Sequence, residues 1–182
     1  MTAVSGQTTE EGSLGSVRHL TVLPESADRL LFDVSEIDIS GCCRTRKELE
    51  KWNPHRGVMA SLDSLIWETP DHTRGLAIKH VREDEFWVEG HFPGRPMMPG
   101  VLQIEAGAQL ACYMYIVRKT EPSLAAFLRI ESAAFRTMVK PGNDLYLLCK
   151  EVKSGARRFV SDIQGLVNGQ IAFDARITGM TM

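Results

Sequence analysis

The chain has 182 residues, 43% of them hydrophobic and 24% charged, which suits one domain with a sizeable core and room for an extension. A formal net charge of −2 gives no global basic field to attract nucleic acid. The longest apolar stretch, residues 99–117, carries Gln103, Glu105 and Gln109, which argues against a membrane span.

The first 17 residues are polar, lack the apolar core of a signal peptide, and read as a disordered tail. Residues 18–44 mix short apolar pieces with turn residues and read as an arm laid on the domain, which itself is expected over 45–182. Thr45 followed by Glu48 has capping-box spacing, and Asn53-Pro54 closes the short helix so begun. Residues 58–67 fit strand or helix equally well. GLAIKHV (75–81) and EFWVEG (85–90) read as strands joined by the turn RED. A helix is predicted from about Pro99 to Lys119. After it come AFLRIESAAF, DLYLLCKEV, RFVSDIQGLV and QIAFDARIT, four strands predicted to form a meander through the turns PGN, KSGA and VNG. The sum is α+β: an antiparallel sheet on one helix so apolar that the sheet, or a second subunit, must cover it on all sides.

Cys42, Cys43, Cys112 and Cys149 include no CxxC pair, and the five histidines are scattered, so no zinc-ligand spacing appears. Free thiols in a reducing, cytoplasmic setting are the reading that follows. Met97, Met98 and Met114 suit core or pocket lining, His80 a structural role, and His19, His55 and His72 carry no catalytic expectation.

The segment HFPGRPMMPGVLQIEAGAQ (91–109) concentrates chemistry. Its proline-rich turn delivers His91 on a stiff loop. Pro99 suits the first helical position, and Gly100 leaves the backbone donors of the helix start approachable by a developing oxyanion. Glu105, on the second turn among apolar neighbours, is costly there unless it is paired or takes up a proton, so it can serve as a proton donor. His91 is the natural base for the same site.

This segment resembles the active-site stretch of the β-hydroxyacyl-acyl carrier protein dehydratase family, whose members have the hot-dog fold, a sheet wrapped around one long central helix. NPHRGVMASLDSLIW (53–67) and FRTMVKPGNDLYL (135–147) are similar to two further family segments, and the likeness runs over roughly residues 45–180. The resemblance implies His91 and Glu105 as the catalytic pair, contributed by different subunits of a homodimer. It implies Gly100 as the N–H that polarises the thioester carbonyl and Gln109 as a supporting group. A substrate tunnel would be lined by Phe92, Met97, Met98, Pro99 and Val101.

The activity so implied is reversible dehydration of (3R)-hydroxyacyl thioesters on acyl carrier protein, in fatty acid synthesis, without cofactor or metal. Arg95, Arg136 and Lys140 are the candidates for docking the acidic carrier, and a trimer of dimers is a further assembly compatible with the resemblance. The alternatives on the same fold are a thioesterase, an enoyl-coenzyme A hydratase and a non-catalytic acyl-binding protein. Three departures from the family pattern stand out. Gly57, Val58 and Met59 follow the proline-histidine-arginine turn where an aromatic is common. Ala134 and Thr137 thin the basic run. Gly107 stands inside the helix where a larger residue is usual, at a cost of about 1 kcal/mol against alanine, so something close should need the space.

Overall fold

The computed structural model describes residues 16–182, so most of the polar tail lies outside the described residues. In chain order the elements are α1 (Pro24–Ala27), β1 (Arg44–Thr45), α2 (Arg46–Leu49), a 3-10 turn (Gly57–Met59), β2 (Ser64–Glu68), β3 (Arg74–His80), α3 (Gly100–Ile116), β4 (Ala125–Phe135), β5 (Asp144–Ser154), β6 (Arg158–Val167) and β7 (Gln170–Thr181). The strands make one seven-stranded antiparallel sheet in the order β1-β2-β3-β5-β6-β7-β4.

Alternation along the strands decides which side faces α3. On β5, Leu145, Leu147 and Cys149 point at the helix, and on β6 Phe159, Ile163 and Val167 do the same. They meet Ile104, Leu110, Ala111, Met114 and Ile116 from α3 in the main core. Gly107 is where the helix comes closest: a Cβ there would lie 2.7 Å from Ile163 Cδ1, which explains the glycine. Gly75 on β3 makes similar room for the Met114 thioether.

The opposite face of the sheet has its own core. Phe32, Val34 and Ile37 from the N-terminal arm cover Ile66, Leu76, Ile78, Leu148, Leu166 and Ile171. The arm is tied down by hydrogen bonds as well. Gln164 is buried on that face, and its amide is satisfied at both ends: its oxygen accepts from Leu31 N at 3.2 Å and its nitrogen donates to Arg29 O at 3.0 Å. Leu23 N donates to Gly169 O at 2.9 Å.

The Thr45–Glu48 capping box forms as expected, and Asn168-Gly169, both at positive φ, make the predicted hairpin turn. Three expectations are corrected and one open reading is resolved. Residues 85–90 form turns, not a strand. Glu85 takes Lys79 Nζ at 2.8 Å and Trp87 Nε1 at 3.0 Å, and Val88 N and His91 N bond back to Glu85 O and Trp87 O, so the β-rich residues cap the sheet end with Trp87 in the core. The last four strands are not a sequential meander. Only β5–β7 are, because α3 carries the chain across the sheet and β4 joins at the far edge beside β7. The helix starts at Gly100, with Pro99 as its cap, and ends at Ile116. The ambiguous 58–67 segment splits into the 3-10 turn and β2.

Candidate active site

The turn before α3 is closed by its own backbone. Arg95 N donates to Phe92 O at 2.9 Å, Met97 N to His91 O at 2.8 Å, and Met98 N to Val139 O at 2.7 Å, with Gly94 at φ +72° supplying the left-handed corner. His91 Nδ1 lies 2.8 Å from Met97 O. A carbonyl can only accept, so Nδ1 carries the hydrogen and Nε2 keeps a free lone pair. The ring stacks on Phe92, centroids 4.2 Å apart. Local hydrogen bonding has thus fixed the ring's tautomer, with the Nε2 lone pair left open.

At the helix start, Leu102 N and Gln103 N both turn back to Pro99 O, leaving the Gly100 and Val101 N–H groups without a carbonyl inside the helix. A Cβ at Gly100 would sit 2.7 Å from the Phe135 ring, so the absence of a side chain is what lets this backbone and the β4 phenylalanine come together.

Glu105 is not the lone buried carboxylate that its neighbours suggested. Its side chain is 25% exposed, Gln109 Nε2 donates to Oε1 at 2.8 Å, and His55 Nε2 stands 3.4 Å from the same oxygen. Gln109 is locked at both ends. Its oxygen accepts from Ser61 N at 2.9 Å and its nitrogen also reaches Met59 O at 2.8 Å, while its backbone carbonyl accepts Asn53 Nδ2 at 2.9 Å. The supporting glutamine therefore ties the 53–61 loop to α3 and occupies Oε1 of Glu105. When Glu105 carries a proton, Oε2 is the oxygen left to hold it.

Glu105, Gln109 and His55 line a cleft that runs past Ala108, Cys112 and Phe159 toward β4 and β7. Its walls beyond the acid are apolar. The Cys112 thiol is pushed up to about 12, first by burial and then by the Glu105 charge, so it stays protonated and is no nucleophile. His91 does not line this cleft in the single chain, nor do Phe92, Met97, Pro99, Gly100 or Val101.

The remaining expected residues divide. Met98, expected along the tunnel, is 3% exposed and packs in the main core. Arg136 is committed to Asp174, Nε to Oδ2 at 2.7 Å, whereas Arg95 and Lys140 are exposed and in no ion pair among the described residues. Sequence reasoning placed His55 in the proline-histidine-arginine turn but not beside Glu105, because the two are 50 residues apart.

The side of α3 bearing Val101, Glu105 and Ala108 is the part the sheet leaves open, and Val101 is 70% exposed. Beside it β4 shows Phe127, Leu128, Ile130 and Phe135 to solvent along an unpaired sheet edge. Such a patch, continuous with an open edge, is a surface that calls for a cover.

Comparison with known proteins agrees with this architecture. Among solved structures, the dehydratase heterocomplex ApeI:P from Xenorhabdus doucetiae superposes with a TM-score of 0.64 at 16% identity, over 74% of this chain and 90% of that one. A hypothetical thioesterase with coenzyme A from Streptococcus pneumoniae gives 0.51 at 13% identity, over 65% and 84%. At these identities the likeness speaks for the fold, which is the hot-dog fold. In sequence, the chain is 36% identical over 136 residues to the 3-hydroxyacyl-[acyl-carrier-protein] dehydratase FabZ of Acetivibrio thermocellus, covering 71% of this chain and 92% of that protein. It is 40% identical over 126 residues to the bifunctional enzyme LpxC/FabZ of Porphyromonas gingivalis, of whose length it spans 27%. Among the described residues no helix is long and apolar enough to cross a membrane. The family model of the FabA-like domain matches residues 53–176, and with the FabZ relatives this establishes that the chain belongs to the FabA-like dehydratase family.

Proposed function

We propose that this chain catalyses the reversible dehydration of (3R)-hydroxyacyl thioesters on acyl carrier protein to trans-2-enoyl thioesters in fatty acid synthesis; its FabZ relatives are named 3-hydroxyacyl-[acyl-carrier-protein] dehydratases. One observation carries the reading. A single turn-and-helix unit presents a histidine with Nδ1 tied to Met97 O and Nε2 free, bare helix-start donors at Gly100, and a carboxyl with one oxygen occupied and one open.

The chemistry follows from those atoms. His91 Nε2 takes the proton from carbon two while the Gly100 N–H steadies the charge growing on the thioester oxygen. Glu105 passes its proton to the departing hydroxyl, which leaves as water. In one chain the base does not share a cleft with the acid. The working site is therefore composed across a homodimer, with His91 of one protomer facing Glu105 of the other. The exposed edge of β4 and the open side of α3 supply the surface for that contact. The cleft beyond Glu105 takes the acyl chain, and Arg95 and Lys140 are the cations left to meet an acidic carrier. Four free thiols fit a reducing, cytoplasmic setting.

The test is water loss, followed by absorbance of the conjugated enoyl thioester, from short and long hydroxyacyl chains on carrier protein and on coenzyme A. Turnover of carrier-bound substrate is expected, falling by about 10²–10⁴ in His91→Ala. An unmodified protein inert toward every hydroxyacyl thioester, or a His91→Ala variant at full rate, contradicts the proposal.

A further inference from the structure

The cleft that starts at Glu105 has a polar mouth and an apolar interior, and its far end is built differently from its walls. Along α3 the wall is one helix face: Glu105, then Ala108 and Gln109, then Cys112, at the spacing that stacks side chains along a helix. Facing them are Ala125 and Ala126 of β4. Small side chains therefore keep the passage open over about 10 Å, the rise of α3 from Glu105 to Cys112.

The far end is closed by Phe159. Gly179 of β7 pairs with Phe127 of β4 on one side and with Phe159 of β6 on the other, so a glycine separates two phenylalanines in one row across the sheet, and all three line the cleft. The Phe159 ring leans into the gap that the glycine leaves: a Cβ on Gly179 would run into the tip of that ring, with Cε1 at 2.6 Å. Behind the ring stands Tyr115, about one turn beyond Cys112 on α3 and stacked on Phe159 with centroids 4.6 Å apart. Tyr115 is itself tethered, because its hydroxyl lies 2.7 Å from Gly155 O and 3.0 Å from Ala156 O in the turn between β5 and β6. Both rings are buried. Phe159 is thus held from below by the sheet and from behind by a second fixed ring, and a chain pressing on it finds packed atoms instead of free space.

We infer that Phe159 is the stop of the acyl cleft and limits the substrate to short and medium hydroxyacyl chains. It meets the methyl end of the chain, not the reacting atoms, so it sorts substrates and takes no part in proton transfer. A chain that ends at the ring buries all of its methylenes while its hydroxyl stands at Glu105. A longer chain must displace the packed aromatic pair, or else its reacting carbons stop short of the groups that move protons. A single methylene in an apolar pocket changes selectivity by about tenfold or more. The inference rests on the proposed dehydration and names the substrate class for it.

The experiment measures kcat/KM for dehydration of hydroxybutyryl, hydroxyoctanoyl and hydroxypalmitoyl groups on carrier protein. The unmodified protein is expected to process the hydroxypalmitoyl group at least about tenfold less well than the hydroxyoctanoyl group. Phe159→Ala and Phe159→Leu should each raise the hydroxypalmitoyl-to-hydroxybutyryl ratio by about tenfold or more, with the hydroxybutyryl value within about threefold of the unmodified one. The leucine variant carries the test if the alanine variant fails to fold. Gly179→Ala works in the opposite direction, since its methyl lifts the ring tip off the sheet toward α3 and shortens the cleft. It should lower the hydroxyoctanoyl-to-hydroxybutyryl ratio by about tenfold, and adding Phe159→Leu to it should restore that ratio. An unmodified protein equally active on all three chains overturns the stop. Phe159 variants whose ratios stay within about threefold of the unmodified ones also overturn it, because a merely loosened core slows every chain alike. If the unmodified protein turns over no hydroxyacyl substrate, the proposed function falls and the stop with it; unchanged ratios in an active enzyme overturn the stop alone.

Discussion

At the scale of single residues, the proposed catalytic segment was readable because it is contiguous. Nineteen residues carry the turn, the proposed base, the bare helix start and the proposed acid, and each is set by local rules of proline, glycine and helix geometry. What contiguity hides is what the side chains meet. Glu105 reads as an isolated carboxylate and proves to be bonded to Gln109 and faced by His55. Gly107 is the converse case, where a local anomaly announced a distant contact. Gly107→Ala gains about 1 kcal/mol of helix propensity, but its methyl arrives 2.7 Å from Ile163 Cδ1 and 3.1 Å from Ile163 Cβ in a fully packed core. Overpacking costs about 1–3 kcal/mol, so the variant is expected to melt lower than the unmodified protein. A higher melting temperature would show that Ile163 yields freely.

At the scale of elements, strands with one buried face were legible from alternation, as in β5 and β6. EFWVEG was not, because β propensity cannot tell a strand from a turn whose aromatic residue plugs the sheet end. The hydrogen bonds that decide it come from Lys79 on β3 and from turns inside 85–91. Nearby, Asp63 ties α2 to the end of β3. Burial alone would raise its carboxyl, but the His80 N–H and the Arg46 and Arg82 guanidiniums outweigh that and hold it below the ordinary aspartate value. A carboxyl depressed in the folded state adds stability in full above its unfolded value, near 4, and loses it as pH falls through the lower folded value. Thermal melts from pH 7 to pH 3 should therefore show Asp63→Asn less stable by about 1–3 kcal/mol at neutral pH, with the difference shrinking toward pH 3. A constant difference across that range would mean that the charge of Asp63 contributes nothing.

At the scale of the whole molecule, the seven-stranded sheet has two covered faces and two edges, the two-residue β1 and the long β4. The arm covers the outer face and α3 most of the inner one, while β4 ends the sheet with apolar side chains in water. Sequence pattern gave the sheet and the helix but not the strand order, since nothing in β4 says that it will join β7 instead of β5. The same limit applied to the arm, whose apolar residues are too irregular to show a period yet build a second core. If β4 is the seam between protomers, Ile130→Asp should yield a folded monomer by sedimentation, with dehydration lost. A dimer of normal activity would place the seam elsewhere. The reasoning is that an unpaired carboxylate is strongly disfavoured in an apolar interface and well tolerated in water.

The most direct test of a site shared between protomers uses mixed dimers of a His91→Ala chain and a Glu105→Gln chain, each inactive alone, purified through different tags. One of the two sites then pairs an intact His91 with an intact Glu105, and about half of the unmodified dehydration rate should return. Mixed dimers as inactive as their parents would place base and acid in the same chain and contradict the account.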